Sequence, residues 1–172
     1  SETWFDDRVS DDSVSLDGFG VPFRCDRDAR VSGKQHGGGV CLYVNERYCN
    51  RANVTVRKQL CTPDLDLLSV SLRPKYLPRE FGQIFVTVIY THPKANATRA
   101  LTELADVVRS LQTISPDAPN FILGDFNHCD LRTSLPSFKQ YVTVSTRADK
   151  TLDRCYGNIP KAYRSFQLPK RV

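Results

Sequence analysis

Three apolar runs, each bounded by glycine, proline, asparagine or aspartate, constrain the fold of this chain more than any other sequence feature. They cover 39–44 (GVCLYV), 65–72 (LDLLSVSL) and 83–90 (QIFVTVIY). β-Branched and aromatic residues favour extended backbone and the bounding residues favour turns, so the sequence predicts three strands. Shorter strands are predicted at 53–57, 121–123, 141–144 and 152–156.

One segment follows helical spacing instead. Its apolar residues recur at i, i+3, i+4, i+7 and i+10, and they are Leu101, Leu104, Ala105, Val108 and Leu111. Asn96 or Thr98 can cap the start of this helix, and Pro116 ends it. Because strands occur on both sides of the helix, the sequence predicts a layered α/β fold rather than an all-β sandwich.

The composition fits one globular domain over residues 1–172. Hydrophobic residues make up 40% and charged residues 25% of the chain, which is typical of a folded domain rather than a disordered one. No apolar run approaches the roughly 20 residues needed to cross a bilayer, so we expect no membrane partner. The 6 cysteines include no Cys-x-x-Cys pair, which favours free thiols in an intracellular, reducing compartment over a zinc site or a disulfide framework.

Charge is distributed unevenly along the chain. Residues 1–17 carry six acids against one base, whereas residues 147–172 carry seven bases against two acids. This division suits a polyanion bound beside an acidic, cation-binding pocket. A solvated surface without any partner accounts for the charges equally well.

The segment 120–127 (NFILGDFN) carries the most informative chemistry. A short apolar strand runs into a glycine turn that presents Asp125 and Asn127 on the same side of the chain. A carboxylate is a ligand for Mg²⁺ and can orient an attacking water, while a neutral amide can hold a phosphate oxygen without repelling it. The alternative is a β-turn in which both side chains cap their own backbone.

Three further residues give weaker signals. Glu2 precedes the only tryptophan by two residues, Tyr90 ends a predicted strand, and Asp153 lies within a short predicted strand. The alternatives are a solvated terminal acid, a packing tyrosine and a capped turn. A buried aspartate at position 153 would need a partner, and a histidine held in one tautomer would serve.

In this order, the motifs resemble the endonuclease/exonuclease/phosphatase superfamily. The sequence reads SETW at 1–4, GGGV at 37–40, GDFNH at 124–128 and TLDRCYGNI at 151–159, with the strand that ends in Tyr90 between the second and third motifs. The last two segments, together with TR at 146–147, are similar to the endonucleases of LINE-type (non-LTR) retrotransposons. The resemblance covers nearly the whole chain and implies a four-layer α/β/β/α sandwich of the DNase I-like type.

The resemblance also implies a role for each candidate residue. Glu2 corresponds to the metal-binding glutamate, and Tyr90 to a tyrosine that contacts phosphate. Asp125 corresponds to the acid that orients or activates the attacking water, and Asn127 to the amide that holds the phosphate. Asp153 corresponds to the acid that orients the family's histidine. The implied reaction is Mg²⁺- or Mn²⁺-dependent hydrolysis of a DNA phosphodiester, a nick that in retrotransposition primes reverse transcription in the nucleus.

Two features of the family are not found in this sequence. The family has an asparagine-bearing strand before its Glu-Thr-Trp region and a Ser-Asp-His motif after Thr-Leu-Asp. Here residues 167–172 read QLPKRV, and neither His36, His92 nor His128 matches the missing histidine. We therefore expect a sandwich incomplete at both ends and a weak or inactive enzyme, because losing a positioned acid/base group costs roughly 10²–10⁴ in rate.

Two other functions remain open on the sequence. One is a non-catalytic retroelement remnant that binds nucleic acid through a basic C-terminal region. The basic residues of that region are Arg147, Arg154, Lys161, Arg164, Lys170 and Arg171. The other is a phosphatase or phospholipase of the same superfamily, because a fold does not determine a substrate. The resemblance around Asp125 and Asp153 favours DNA.

Unpaired sheet edges predict self-association of the chain. Strands missing from the sandwich would leave backbone groups and apolar sheet surface without a partner, and both promote association. We expect oligomers or aggregates of the 172-residue chain in size-exclusion chromatography. A clean, stable monomer would contradict this expectation.

Overall fold

The structure of this protein is a computed structural model that describes residues 1–33, 37–161, 163–166 and 168. In these residues, two sheets and two α-helices form most of the regular structure. The strands are β1 (Phe23–Cys25), β2 (Val40–Leu42), β3 (Val54–Cys61), β4 (Leu65–Leu72), β5 (Ile84–Thr91), β6 (Asn120–Asp125), β7 (Lys139–Gln140) and β8 (Asp153–Gly157). The α-helices are α1 (Ala29–Ser32) and α2 (Ala97–Ile114), and short 3₁₀ helices cover Asp11–Val14 and Arg51–Asn53. One sheet has the order β3-β4-β5-β6-β8-β7, and the other pairs β1 with β2.

The long sheet is built around β4 and β5. All residues of β4 are buried, and this strand pairs antiparallel with both β3 and β5. β5 pairs parallel with β6. A parallel pair needs a long crossover to bring the chain back to the same end of the sheet, and α2 provides it. The helix therefore lies against the sheet between the two strands that it connects.

Side chains of the long sheet alternate between two apolar cores. Leu65 and Leu67 pack on the side of α2, whereas Leu68 and Val70 pack on the side of the two-stranded sheet. Each fully buried leucine contributes about 1.5–3 kcal/mol to the free energy of unfolding. The buried residues of α2 are Ala100, Leu104, Ala105, Val108 and Leu111, so four of the five predicted residues are buried, while Leu101 is partly buried.

The layers form the predicted α/β sandwich in an incomplete version. α2 covers one face of the long sheet, and the two-stranded sheet covers part of the other face. Apart from α2, the only α-helix in the described residues is the four-residue α1. In the described part of the chain, no helix is both long and apolar enough to span a membrane.

Most predicted elements are found, with different ends. The strand at 65–72 has the predicted bounds, and that at 83–90 is shifted by one residue to form β5. The predictions at 53–57, 121–123 and 152–156 correspond to β3, β6 and β8, while 39–44 shortens to β2. Asn96 is the N-cap of α2, since its Oδ1 accepts a hydrogen bond from Arg99 N at 3.1 Å. β1 was not predicted.

The predicted strand at 141–144 is wrong. The sheet pairing occurs just before it, in β7. The Tyr141 ring lies against Gly157, where an added Cβ would be 2.6 Å from the phenol oxygen, and its hydroxyl donates to Ile159 O at 2.5 Å. This packing turns the chain out of the sheet after Gln140.

The outer edge of the long sheet carries charge. β3 is exposed over most of its length, and its pairing with β4 is interrupted between Val56 and Lys58. A bulge together with the charged side chains of Arg57 and Lys58 limits pairing with another strand. Self-association through the sheet edges stays a prediction. All 6 cysteines are free thiols.

Gly124 allows β5 and β6 to approach each other. Its φ is 141°, and an added Cβ would lie 1.9 Å from the carbonyl oxygen of Ile89. We expect Gly124→Ala to lower the free energy of unfolding by about 2–4 kcal/mol, because neither strand can move without losing its pairing. Urea denaturation followed by circular dichroism measures this change.

Gly82→Ala is the matched control, since an added Cβ there meets nothing within 4 Å. Its free energy of unfolding should stay within about 0.5 kcal/mol of the parent value. Equal stability of the two variants would contradict the close approach at Gly124.

Candidate active site

Four polar side chains form one row across the long sheet. The strand register pairs Asp66 with Tyr90, Tyr90 with Asp125, and Asp125 with Asp153. Residues paired in register on neighbouring strands project to the same face. Here that face carries the two-stranded sheet, because Tyr90 belongs to the core on that side. Three members of the row are predicted site residues, and Asp66 is an addition.

Glu2 reaches this row from the first segment of the chain. The Tyr90 hydroxyl donates a hydrogen bond to Glu2 Oε1 at 2.8 Å. Glu2 and Trp4 both have left-handed backbone, with φ of 57° and 59°. The N–H groups of Thr3 and Trp4 donate to the carbonyls of residues 39 and 38, at 3.1 and 2.9 Å. Left-handed backbone at such residues is strained, and strain of this kind is concentrated at functional sites.

Asp125 and Asn127 bond to the backbone around them. Asp125 is 4% exposed, and its Oδ1 accepts from the N–H of Asn127 at 2.9 Å. Asn127 Nδ2 donates to the carbonyl of Thr91 at 2.7 Å. Asp125 therefore caps its own turn, as in the alternative considered for the sequence, whereas Asn127 bonds to the neighbouring strand β5. Asp125 Oδ2 faces Arg147 Nη2 at 3.8 Å.

The carboxylates of the site act on one another. Burial raises the pKa of Asp125, and the nearby charges of Asp153 and Glu2 raise it further. The hydrogen bond from the N–H of Asn127 lowers the same pKa by less than burial raises it, and the guanidinium of Arg147 lowers it by a smaller amount. Burial, followed by the hydrogen bond to Glu2, also raises the pKa of Tyr90, so its phenol remains a hydrogen-bond donor at neutral pH.

A hard divalent cation fits these groups. Three negatively charged side chains approach one another closely enough to raise the pKa of Asp125, and a cation would reduce that repulsion. Among the described residues, no three Asp, Glu, His or Cys side chains are arranged to hold a metal ion. Mg²⁺ needs only one or two carboxylates because it keeps several of its waters, so Glu2 can serve as its protein ligand.

The two predicted DNA-binding arginines differ in their exposure and in their hydrogen bonds to the protein. The Arg147 side chain is 63% exposed and lies beside Asp125. The Arg154 side chain is 15% exposed, and it donates to Tyr156 OH and to the carbonyl of Thr151, both at 3.1 Å. Arg147 can therefore turn towards a phosphate, whereas Arg154 is held against the protein. Asp153, at the start of β8, is exposed.

An open groove of about 470 Å³ continues from Asn127. It is lined by Pro93, Asn127, His128, Lys150, Thr151, Leu152 and Arg154. His128 Nε2 lies 3.1 Å from the carbonyl of Ala95. Lys161 and Arg164 are exposed, while His36, Lys170 and Arg171 lie outside the described residues.

The sequence interpretation missed Arg27 and Asp66. Asp66 is fully buried in the row, and Arg27 Nη2 lies 2.6 Å from its Oδ2. A signal for this pair was present, since Asp66 is the one acid in the run LDLLSVSL. A charge within a strand buried on both faces requires a partner.

The comparison with solved structures identifies the fold. Over 82% of this chain, the endonuclease domain of TRAS1, a telomere-specific non-LTR retrotransposon, superposes with a TM-score of 0.51 at 13% identity. The human nocturnin catalytic domain matches 82% of the chain with a TM-score of 0.53 at 15% identity. An endonuclease/exonuclease/phosphatase protein from Bacteroides vulgatus matches 81% of the chain with a TM-score of 0.53 at 11% identity.

The chain spans 67% of the TRAS1 domain, 60% of the nocturnin domain and 64% of the Bacteroides protein. No protein-family profile and no curated protein sequence matches it. The fold is thus the DNase I-like α/β sandwich of endonuclease/exonuclease/phosphatase proteins, as the sequence predicted. The roles of the individual site residues stay predictions.

The raised pKa of Asp125 predicts that its charge destabilises the folded chain. A carboxyl whose pKa is raised on folding contributes stability below its unfolded pKa and loses it as the pH rises through the folded pKa. We expect Asp125→Asn, which keeps the acceptor for the N–H of Asn127, to raise the melting temperature at pH 7. The difference should shrink towards pH 4. Thermal denaturation followed by circular dichroism measures it.

Asp130→Asn is the control, and its melting temperature is expected to change in the opposite direction. Hydrogen bonds from Arg132 lower the pKa of Asp130 to about 2, so its charge adds stability above the unfolded pKa and loses it as the pH falls through about 2. This variant should melt at a lower temperature than the parent at pH 7. If both variants shift in the same direction, the assignment of the Asp125 pKa is wrong.

Proposed function

We propose that this chain, with its endonuclease/exonuclease/phosphatase fold, is a metal-dependent phosphodiesterase that nicks DNA in the manner of a non-LTR retrotransposon endonuclease. The observation that carries the proposal is the buried Asp125, whose Oδ2 remains available between Glu2 and the exposed Arg147. Asp125 thereby lies at one end of the sheet together with Glu2, the candidate metal ligand, and Arg147, a cation that can bind phosphate.

Asp125 and Asn127 are suited to position the reacting groups. The hydrogen bond from Asn127 N to Oδ1 fixes the carboxylate, so Oδ2 can accept a proton from an attacking water. The amide of Asn127 has two N–H groups. One donates to the carbonyl of Thr91, and the other remains for a phosphate oxygen.

Glu2 would hold the cation, and Tyr90 orients Glu2. The phenol donates to Oε1, which leaves Oε2 as the ligand atom. Mg²⁺ or Mn²⁺ bound there would neutralise the charge that develops on the phosphate. The direct contact of Tyr90 with phosphate predicted from the sequence would require its hydroxyl to exchange partners, since it is 3% exposed and bonded to Glu2.

DNA is the substrate that the charge distribution favours. Arg147 stands beside Asp125, and the groove next to Asn127 adds Lys150. Phosphates of a DNA backbone would be neutralised along this path, and such contacts account for most non-specific affinity for DNA. The same proposal includes two further predictions. The protein is located in the nucleus, and Asp153 orients a histidine.

Activity of this chain by itself is expected to be low. It spans only 60–67% of the solved proteins that share its fold, so their full activity is not carried over. None of His36, His92 and His128 matches the family's histidine, and the lack of such a second acid/base group lowers the rate by roughly 10²–10⁴. An assay that detects one cut in a whole plasmid is therefore the appropriate one.

A second candidate function is metal-independent binding of nucleic acid. The exposure of Arg147, Lys161 and Arg164 favours it, because exposed bases can contact phosphate without any catalytic group. Binding of this kind falls steeply with salt and persists in EDTA.

The nicking of supercoiled plasmid in Mg²⁺ or Mn²⁺ tests the first proposal. We expect slow conversion to the relaxed form, abolished by EDTA and reduced roughly 10²-fold or more in Asp125→Ala and Glu2→Gln. Glu80→Gln is the control, since this exposed acid lies between β4 and β5, away from the row. Nicking that survives Asp125→Ala would contradict the proposal, and rapid nicking by the parent would contradict low activity.

A further inference from the structure

An ion pair is buried beneath the candidate site. The side chain of Arg27 is 4% exposed and that of Asp66 is 0% exposed. Arg27 Nε and Nη2 both donate to Asp66 Oδ2, at 3.0 and 2.6 Å. Asp66 Oδ1 is buried without a hydrogen-bond partner among the described residues.

A pair of this kind adds little to stability. The cost of removing two charges from water offsets most of their attraction, and apolar residues of similar volume often replace such a pair without loss. The orphaned oxygen of Asp66 adds a further penalty. A gain in stability therefore does not explain the Arg27–Asp66 pair. The contacts of the pair indicate its role.

The first set of contacts leads to the backbone of the opening segment. Asp66 Oδ2 also accepts from the N–H of Gly39 at 2.8 Å. The carbonyls of Gly39 and Gly38 accept from the N–H groups of Thr3 and Trp4. At Gly38, an added Cβ would be 2.2 Å from Arg27 Nε, so the guanidinium lies directly against this backbone. The pair thus holds the backbone of Gly38 and Gly39, to which residues 3 and 4 are hydrogen-bonded.

The second set of contacts leads to the carboxylate of Glu2. The guanidinium of Arg27 lies over the Tyr90 ring, with Cζ 5.6 Å from the ring centroid. The hydroxyl of that ring donates to Glu2 Oε1. Arg27 therefore fixes the ring that orients the carboxylate, while Asp66 fixes the backbone that carries it.

We propose that the buried Arg27–Asp66 pair positions Glu2 for metal binding. The two sets of contacts converge on this residue from its backbone and from its carboxylate. Glu2 has left-handed backbone and belongs to a segment without helix or strand, so it needs such support. This inference rests on the proposed function, because that proposal makes Glu2 the metal ligand.

A second Arg–Asp pair, formed by β8 and the loop after β6, provides the control. Arg154 Nη1 lies 3.6 Å from Asp130 Oδ2, with side chains 15% and 34% exposed. Arg154 also donates to the carbonyl of Thr151 and to Tyr156 OH, both at 3.1 Å, and these hydrogen bonds do not reach Tyr90, Gly39 or the opening segment. Asp130→Asn therefore removes a similar charge pair without touching either set of contacts.

The first test needs no metal. Trp4 is the chain's only tryptophan and its side chain is exposed, so its fluorescence anisotropy reports the order of the opening segment. We expect lower Trp4 anisotropy in Asp66→Asn and in Arg27→Lys, and the parent value in Asp130→Asn. Lysine keeps the charge of Arg27 but cannot supply two planar N–H groups to one oxygen. Unchanged anisotropy in folded Asp66→Asn and Arg27→Lys would overturn the proposal.

The second test measures metal binding directly. Tb³⁺ is the probe, because Trp4 lies two residues from Glu2 and can sensitise its luminescence. Loss of an outer partner of a metal ligand costs roughly 10–100-fold in affinity, so we expect a Tb³⁺ dissociation constant at least 10-fold higher in both variants and unchanged in Asp130→Asn. Mg²⁺ should compete for the site, and Glu2→Gln should abolish the signal.

The two tests separate the inference from the function on which it rests. A parent chain with no Trp4-sensitised Tb³⁺ signal would refute the metal site of the proposed function. Lower anisotropy in the two variants would still support the positioning of the opening segment by the pair. Parent-like Tb³⁺ affinity in folded Arg27→Lys and Asp66→Asn would overturn the inference and leave the proposed function intact. If Asp66→Asn does not fold by circular dichroism, Arg27→Lys alone decides, since it leaves no buried charge unpaired.

Discussion

The register between β4, β5, β6 and β8 determines where Asp66, Tyr90, Asp125 and Asp153 lie in the candidate site. β4 and β5 are buried over most of their length, and a shift of one residue would turn their apolar side chains towards the wrong core. Hydrophobic burial therefore fixes the pairing that puts Tyr90, Asp125 and Asp153 side by side. Gly124 contributes by letting β5 and β6 come together where the carbonyl of Ile89 leaves no room for a side chain. The site is a consequence of how the core is packed.

Buried charge is concentrated in and beside the row of paired residues. Asp125 is buried near two other carboxylates, and its raised pKa shows that the folded chain bears a cost for it. The Arg27–Asp66 pair bears a second cost, because desolvation offsets the attraction between its charges. Both features are unfavourable for stability alone, and both surround Glu2 and Tyr90. Buried charge at one end of the sheet is what a site for a cation and a phosphate requires, because electrostatic interactions are strong where water is excluded.

The likeness to solved proteins lies in the arrangement of layers more than in sequence. Identities of 11–15% accompany TM-scores of 0.51–0.53, so most side chains differ while the fold is shared. Many different sequences can bury the two faces of such a sheet, since cores tolerate substitution that conserves volume and pattern. A shared fold leaves the substrate undetermined. The case for DNA comes from the neighbouring positions of Asp125 and Arg147, and from the basic groove beside Asn127.

The sequence by itself determined the elements that local pattern controls. The run at 65–72, the apolar stripe of α2 and the turn at 124–127 were all predictable, because periodicity and turn chemistry act over a few residues. Local pattern failed at 141–144, where the packing of Tyr141 on Gly157 ends the strand pairing, and at β1, which is too short to show a period. Only the tertiary structure decided that Tyr90 bonds to Glu2 and that Asp66 pairs with Arg27 beneath them. It also decided that the Arg154 side chain is held by its neighbours while the Arg147 side chain is exposed. These contacts join residues distant in sequence, and a charge finds its partner only when the packing of the sheets brings the two together.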